Sequence, residues 1–121
     1  MLAVECDWRI RRLIRANLEA AGLQVHEAVS GPHAQLVLAQ TQPDLVLLDL
    51  ECSDQGAREL LVTLHARLIG RKVPVLALSS EPADSQLVRE GIVEGYLQKP
   101  FAASALLREV HRALRGQPEE P

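Results

Sequence analysis

No apolar run in this sequence approaches the ~20 residues that a membrane-spanning helix requires, so no membrane contact is expected. No basic segment leads into an apolar signal-peptide core, and the expected compartment is the cytoplasm. Cysteine is scarce. Cys6 and Cys52 are the two in the chain, too few for a disulfide framework. Excess charge of either sign is also lacking. The formal net charge is −3, without the basic footprint of nucleic-acid or anionic-membrane binding, so this domain is expected to bind no nucleic acid directly. No glycine-rich phosphate cradle follows the first apolar segment, which argues against a nucleotide-binding enzyme. His26, His33, His65 and His111 lack metal-ligand spacing.

The chain has 121 residues, room for one domain that buries enough surface to fold without cross-links. Its most telling stretch is Pro43-Asp44-Leu45-Val46-Leu47-Leu48-Asp49. A turn signal opens it, four apolar residues follow without alternation, and a carboxylate ends it. That is the pattern of a strand buried on both faces that delivers one acid to its C-terminal end.

Around that strand the pattern alternates. A strand is expected over Met1–Val4 and a helix over Trp8–Ala21, with Asp7 as N-cap and Gly22 as stop. Ile10, Leu13, Ile14, Leu18 and Ala21 form that helix's apolar face, and Arg9, Arg12, Arg15 and Glu19 read as solvated. Leu23–Val29 reads as a strand, Pro32–Gln40 as a short helix, and Leu60–Leu68 as a helix closed by Gly70. Val73–Leu78 is a second uninterrupted apolar strand, Ala83–Glu90 a short helix, and Gly95–Gln98 a brief strand. The last helix, Ser104–Arg115, is expected to bury Leu106, Leu107, Val110 and Leu114. Residues 116–121 read as a solvated, linker-like tail, the expected lead into an output domain.

Five strands alternating with five helices imply α/β architecture, a single doubly wound (βα)5 domain over 1–115 with a parallel sheet covered on both faces. Polar residues then gather at the C-terminal strand ends: Glu5, Asp49, Ser79 and Lys99. Ligands bind at that edge of open α/β sheets. Each residue also has a plainer structural role open to it. Asp49 would serve as a helix cap, Lys99 as its ion-pair partner, Ser79 as a turn hydroxyl.

At this point the chain resembles the receiver domain of two-component response regulators. The resemblance rests on Pro43–Asp49, on Val73-Pro-Val-Leu-Ala-Leu-Ser79, on Gly95-Tyr-Leu-Gln-Lys-Pro-Phe101 and on Ile10-Arg-Arg-Leu-Ile14. It implies a flavodoxin-like sheet of order 2-1-3-4-5. It implies Asp49 as phosphoacceptor, Ser79 as switch hydroxyl, Tyr96 as switch aromatic, Lys99 as the active-site lysine and a cis Lys99-Pro100 bond. It implies Mg²⁺ held by Glu5, Asp49 and the Glu51 backbone carbonyl, with Asp7 as a further candidate. The implied partners are a histidine kinase or phosphotransfer protein, and an output domain or protein target on the face of the fourth helix, fifth strand and fifth helix. A phosphorylation-dependent homodimer is a further implied partner state. The only chemistry implied is phosphoryl transfer to Asp49 and its loss again.

The chain also departs from that family's pattern. Cys6 stands in place of the second acid, and a soft thiol suits Mg²⁺ poorly, so weakened Mg²⁺ binding is expected. The loop Glu51–Ala57 lacks the usual proline, and the stretch from Ser79 to Lys99 is shortened. Trp8 is a candidate cover for the acid pocket or a partner contact. These departures support a second reading, a pseudo-receiver that binds partners without cycling phosphate.

Overall fold

The computed structural model describes residues 1–51, 59, 73–81 and 93–115. Within them the chain runs β1 (Leu2–Val4), α1 (Trp8–Ala20), β2 (His26–Ala28), α2 (Gly31–Gln40), β3 (Val46–Asp49), β4 (Val75–Ser79), β5 (Gly95–Gln98) and α3 (Ala103–Leu114). The expected helices over 60–68 and 83–90, the tail over 116–121, and Cys52 lie outside the described residues. All strand pairings are parallel, in the order β2-β1-β3-β4-β5. This is the α/β sheet expected from the alternation.

Apolar runs without alternation leave a strand no face to expose, and β1, β3 and β4 are buried at every position. Successive side chains point to opposite faces, so the runs divide between two cores. Leu2, Val4, Val46, Leu48, Val75 and Ala77 pack on one face, against Ala34 and Leu38 of α2. Ala3, Leu47, Leu76 and Leu78 pack on the other, against Ile14 and Leu18 of α1 and Leu106, Val110 and Ala113 of α3. Each fully buried leucine contributes about 2 kcal/mol from removal of its surface from water. Helices on both faces pin the sheet, and its C-terminal edge is thereby held rigid.

The helix signals act as their chemistry dictates. Asp7 accepts the Arg9 N–H at 2.9 Å and caps α1. Gly22 takes φ +85°, a left-handed conformation that favours glycine, and the Leu23 N–H returns to the Leu18 carbonyl to close the helix. Ser30 caps α2 by accepting the His33 N–H, and His33 Nδ1 accepts the Val29 N–H in return.

Some sequence expectations need correction. The second strand spans only His26–Ala28, because Leu23 is still part of the α1 closure. The fourth begins at Val75 rather than Val73, although the Pro74 carbonyl already accepts the Val46 N–H. Leu13 is 41% exposed and Leu114 38% exposed. In α1 the inward row is Ile14 and Leu18, one turn apart, whereas Leu13 sits one residue, about 100°, around the flank, and Ala21 lies beyond the helix as its C-cap. In α3 the inward row is Leu106, Val110 and Ala113, which turns Leu114 away from the sheet. Leu107 is only partly buried.

Candidate functional site

The C-terminal ends of β1 and β3 lie side by side where the strand order reverses, which opens a crevice in a sheet of this kind. Glu5 directly follows β1, and Asp49 ends β3. Both are buried, with 0% and 1% of their surface exposed. Lys99 follows β5, two strands away, and its long side chain spans the gap. Its Nζ lies 2.7 Å from Glu5 Oε1 and 3.2 Å from Asp49 Oδ1. The Lys99 N–H donates to the Ser79 carbonyl at 2.7 Å, which fixes the start of that reach to the end of β4. The Lys99-Pro100 peptide is cis, as the resemblance implied.

Electrostatics separate the two acids. Burial, reinforced by the neighbouring Asp49 carboxylate, pushes Glu5 up from 4.5 to about 8, with Lys99 pulling the other way. Burial also acts to raise Asp49. The hydrogen bond with Glu5, the Glu51 N–H at 2.9 Å and the Lys99 ammonium together outweigh it and hold Asp49 below the usual carboxylate range. Lys99 loses some basicity to burial and regains more from the two acids, so it stays cationic. At neutral pH the centre therefore holds one proton on Glu5, one negative charge on Asp49 and one positive charge on Lys99. Asp49 is the ionised member of the pair.

The structure brings Glu5, Asp49 and Lys99 into direct contact and places Ser79 at the adjoining strand end, 3% exposed. Ser79 Oγ accepts the Glu81 N–H at 3.1 Å, and the Tyr96 hydroxyl donates to the Glu81 carbonyl at 3.2 Å. The two proposed switch residues thus meet through one residue. Cys6 joins the centre as well: its thiol donates to Asp49 Oδ2 at 3.5 Å, and the residue is exposed. Trp8 is 60% exposed.

Asp7 stands apart. Both of its carboxylate oxygens face Arg9, at 3.4 Å from Arg9 nitrogens, while Oδ1 also caps α1. Asp7→Ala is expected to cost about 1 kcal/mol through loss of the cap. It should leave divalent-ion affinity unchanged. Urea unfolding and ion titration of the same variant check the two halves.

Sequence reasoning missed three contributors. Arg11 had no role assigned from sequence, yet its guanidinium donates to the Glu5 carbonyl at 2.7 Å and steadies the loop after β1. The Glu51 side chain accepts from the Ser80 N–H and hydroxyl, tying the loop after β3 to the turn after β4. Those bonds, with a smaller part from Ser79 and Lys99, hold the Glu51 carboxyl below its ordinary range. Nothing in residue type alone distinguishes Arg11 from Arg12. No local signal marks the Glu51–Ser80 contact, because it joins loops that follow different strands.

The donors suit a divalent cation. Glu5, Cys6 and Asp49 offer one ligand atom each, all within 4.8 Å of one another. Glu5 Oε2 is buried and no hydrogen-bond donor reaches it. Such an oxygen needs a proton or a cation. Mg²⁺ is commonly held by one or two carboxylates and several waters, which Glu5 and Asp49 satisfy.

Fold and centre together define an open α/β domain with an acid–lysine cluster at its strand ends. Over residues 1–111 the chain matches the response regulator receiver domain family. It is 35% identical over 117 residues to the KDP operon transcriptional regulatory protein KdpE of Escherichia coli (strain K12), covering 95% of this chain and 51% of that protein. It is 32% identical over 120 residues to the phosphate regulon transcriptional regulatory protein PhoB of Rhizobium meliloti (strain 1021), with coverage of 96% and 52%. Among solved structures, chemotaxis protein CheY4 of Vibrio cholerae superposes with a TM-score of 0.82 at 25% identity, over 92% of this chain and 94% of that one. The receiver domain of NtrX from Brucella abortus gives 0.81 at 26% identity, over 94% and 97%. This chain belongs to the response regulator receiver domain family. It spans about half the length of the curated relatives it matches. Among the described residues, no helix is long and apolar enough to cross a membrane.

Proposed function

We propose that this domain is a phosphorylation switch in which Asp49 accepts a phosphoryl group from a histidine kinase or phosphotransfer protein of the cytoplasm. The observation that carries this reading is the position of Lys99, whose ammonium touches both buried acids at 2.7 and 3.2 Å. A purely structural ion pair needs one acid. Two acids with one shared proton leave Asp49 ionised and oriented as a nucleophile.

The transfer is a displacement at phosphorus. An Asp49 oxygen forms the new O–P bond as the P–N bond to the donor histidine breaks, and the departing imidazole keeps the electron pair. Such a transfer needs charge neutralisation more than covalent assistance. Lys99 supplies one positive charge already in place. Mg²⁺, held by Glu5, Asp49 and the Glu51 carbonyl, would supply more, and Cys6 weakens that site by offering a soft donor where oxygen is preferred.

A phosphoryl group on Asp49 adds negative charge beside Glu51. It competes with the Glu51 carboxylate for the hydroxyls of Ser79 and Ser80, and Tyr96 is linked to that turn through Glu81. Phosphorylation therefore favours the conformer in which these hydroxyls turn to the phosphoryl oxygens, a population shift set by differential contacts. The output face includes β5 and α3, and its occupant is an output domain joined through 116–121, a separate protein target or a second phosphorylated copy.

Intact mass after incubation with acetyl phosphate and Mg²⁺ tests the reading. A phospho-adduct is expected on the parent chain and none on Asp49→Asn. The exposed thiol at the second-acid position favours one other reading, a pseudo-receiver that binds partners in unmodified form. An adduct that forms only after Cys6→Asp would establish that reading instead.

A further inference from the structure

We infer that Glu5, Cys6 and Asp49 form a mixed thiolate–carboxylate site that takes a thiophilic divalent cation of the Zn²⁺ class in preference to Mg²⁺. Two independent features of the centre point to it. The first is the ligand set. One sulfur and two carboxylate oxygens converge within 4.8 Å, and Cys6 Sγ already sits 3.5 Å from Asp49 Oδ2. The second is Glu5, a fully buried acid whose Oε2 has no hydrogen-bond donor. A cation satisfies that oxygen and the sulfur together.

Chemistry then decides which cation. Mg²⁺ is a hard ion with little affinity for sulfur, so Cys6 contributes nothing to holding it. Zn²⁺ binds thiolate and carboxylate alike, and three protein ligands with an open position is a common zinc arrangement. Cys6 is exposed, which gives the ion a path to the sulfur. The backbone holds the ligands in place: Glu5 at the end of β1, Asp49 at the end of β3, with the Arg11 guanidinium bracing the Glu5 carbonyl. On binding, the Cys6 thiol and the protonated Glu5 carboxyl each give a proton to solvent and offer the metal a lone pair, so uptake releases protons. An ion in this position shares Glu5 and Asp49 with Mg²⁺, and the two compete. The inference does not depend on Asp49 serving as a phosphoacceptor.

Co²⁺ is the spectroscopic probe, because a thiolate ligand gives it an intense near-ultraviolet charge-transfer band. Titration of the whole chain with Co²⁺ should produce that band, Zn²⁺ should abolish it by displacement, and a large excess of Mg²⁺ should not. Cys6→Ser should remove the band and weaken Zn²⁺ binding by calorimetry at least about tenfold. Cys52→Ser should leave both unchanged. Cys6 is exposed, so its replacement leaves the packed core intact, and far-ultraviolet circular dichroism confirms the fold. A band that survives Cys6→Ser, a band lost with Cys52→Ser, equal Zn²⁺ affinity in parent and Cys6→Ser, or ready displacement by Mg²⁺ would each overturn the assignment. The acetyl phosphate experiment reads a different property, so failure of one leaves the other standing.

Discussion

Replacing Lys99 by methionine is expected to lower stability by about 3 kcal/mol at neutral pH, and to slow phosphoryl uptake by about a hundredfold or more. Methionine keeps most of the apolar stem, so the lost part is the ammonium. That ammonium is the counter-charge of a centre whose side chains are almost sealed: Glu5 is 0% exposed, Asp49 2% and Lys99 14%. Removing one partner from a buried pair leaves the other charge desolvated and uncompensated. The Glu51 N–H still reaches Asp49, which keeps the loss from being larger. The penalty should shrink as pH falls. Lys99 helps to hold Asp49 below the usual carboxylate range, and that contribution is present above the usual range and vanishes as Asp49 takes up a proton. Urea unfolding of parent and variant at pH 7 and at pH values below 3.8 reads the first effect, and intact-mass time courses with acetyl phosphate read the second. A folded Lys99→Met chain that takes up phosphate at the parent's rate would remove Lys99 from the proposed chemistry.

Much of this centre was legible from residue order because the strands are so apolar. Four unalternated apolar residues before Asp49 read as a strand buried on both faces, and the same logic read Val73–Leu78. Once those strands are parallel, their last polar residues must share an edge, and Glu5, Asp49, Ser79 and Lys99 do. Side-chain direction was the illegible part. Asp7 and Glu5 are both acids beside Cys6, but Asp7 caps the helix start and turns to Arg9, whereas Glu5 directly follows β1 and meets Lys99 in the crevice. The leucines of α1 and α3 show the same limit. Leu13 and Leu114 are apolar and near the inward row, and a rotation of one residue leaves them in water while Ile14 and Ala113 take the buried places. The Glu51–Ser80 contact joins two loops from different strands, and no local pattern encodes it.

Glu5→Gln should make the protein more stable at alkaline pH, by on the order of 3 kcal/mol at pH 9 in the absence of divalent ions. The folded chain holds the Glu5 proton up to about 8, against 4.5 for the free side chain. Between those values the native state binds a proton that the unfolded state has released. The protonated acid's contribution is complete below about 4.5 and falls as pH rises, by at most about 1.4 kcal/mol per pH unit, until Glu5 ionises near 8. Glutamine copies the shape and neutrality of the protonated acid and cannot ionise. Its stability curve should meet the parent's near pH 4 and separate from it upward, while the other titrating groups cancel in the difference. Unfolding midpoints in urea at pH 4, 7 and 9 measure that divergence, and parallel curves would show that Glu5 is ionised throughout. A divalent ion reverses the preference, because it needs the carboxylate and gives Glu5 Oε2 the partner it lacks. The parent should therefore gain more stability from added divalent ion than Glu5→Gln does, and most at high pH. That pair of results would show a buried acid that weakens the ion-free fold and strengthens the ion-loaded one.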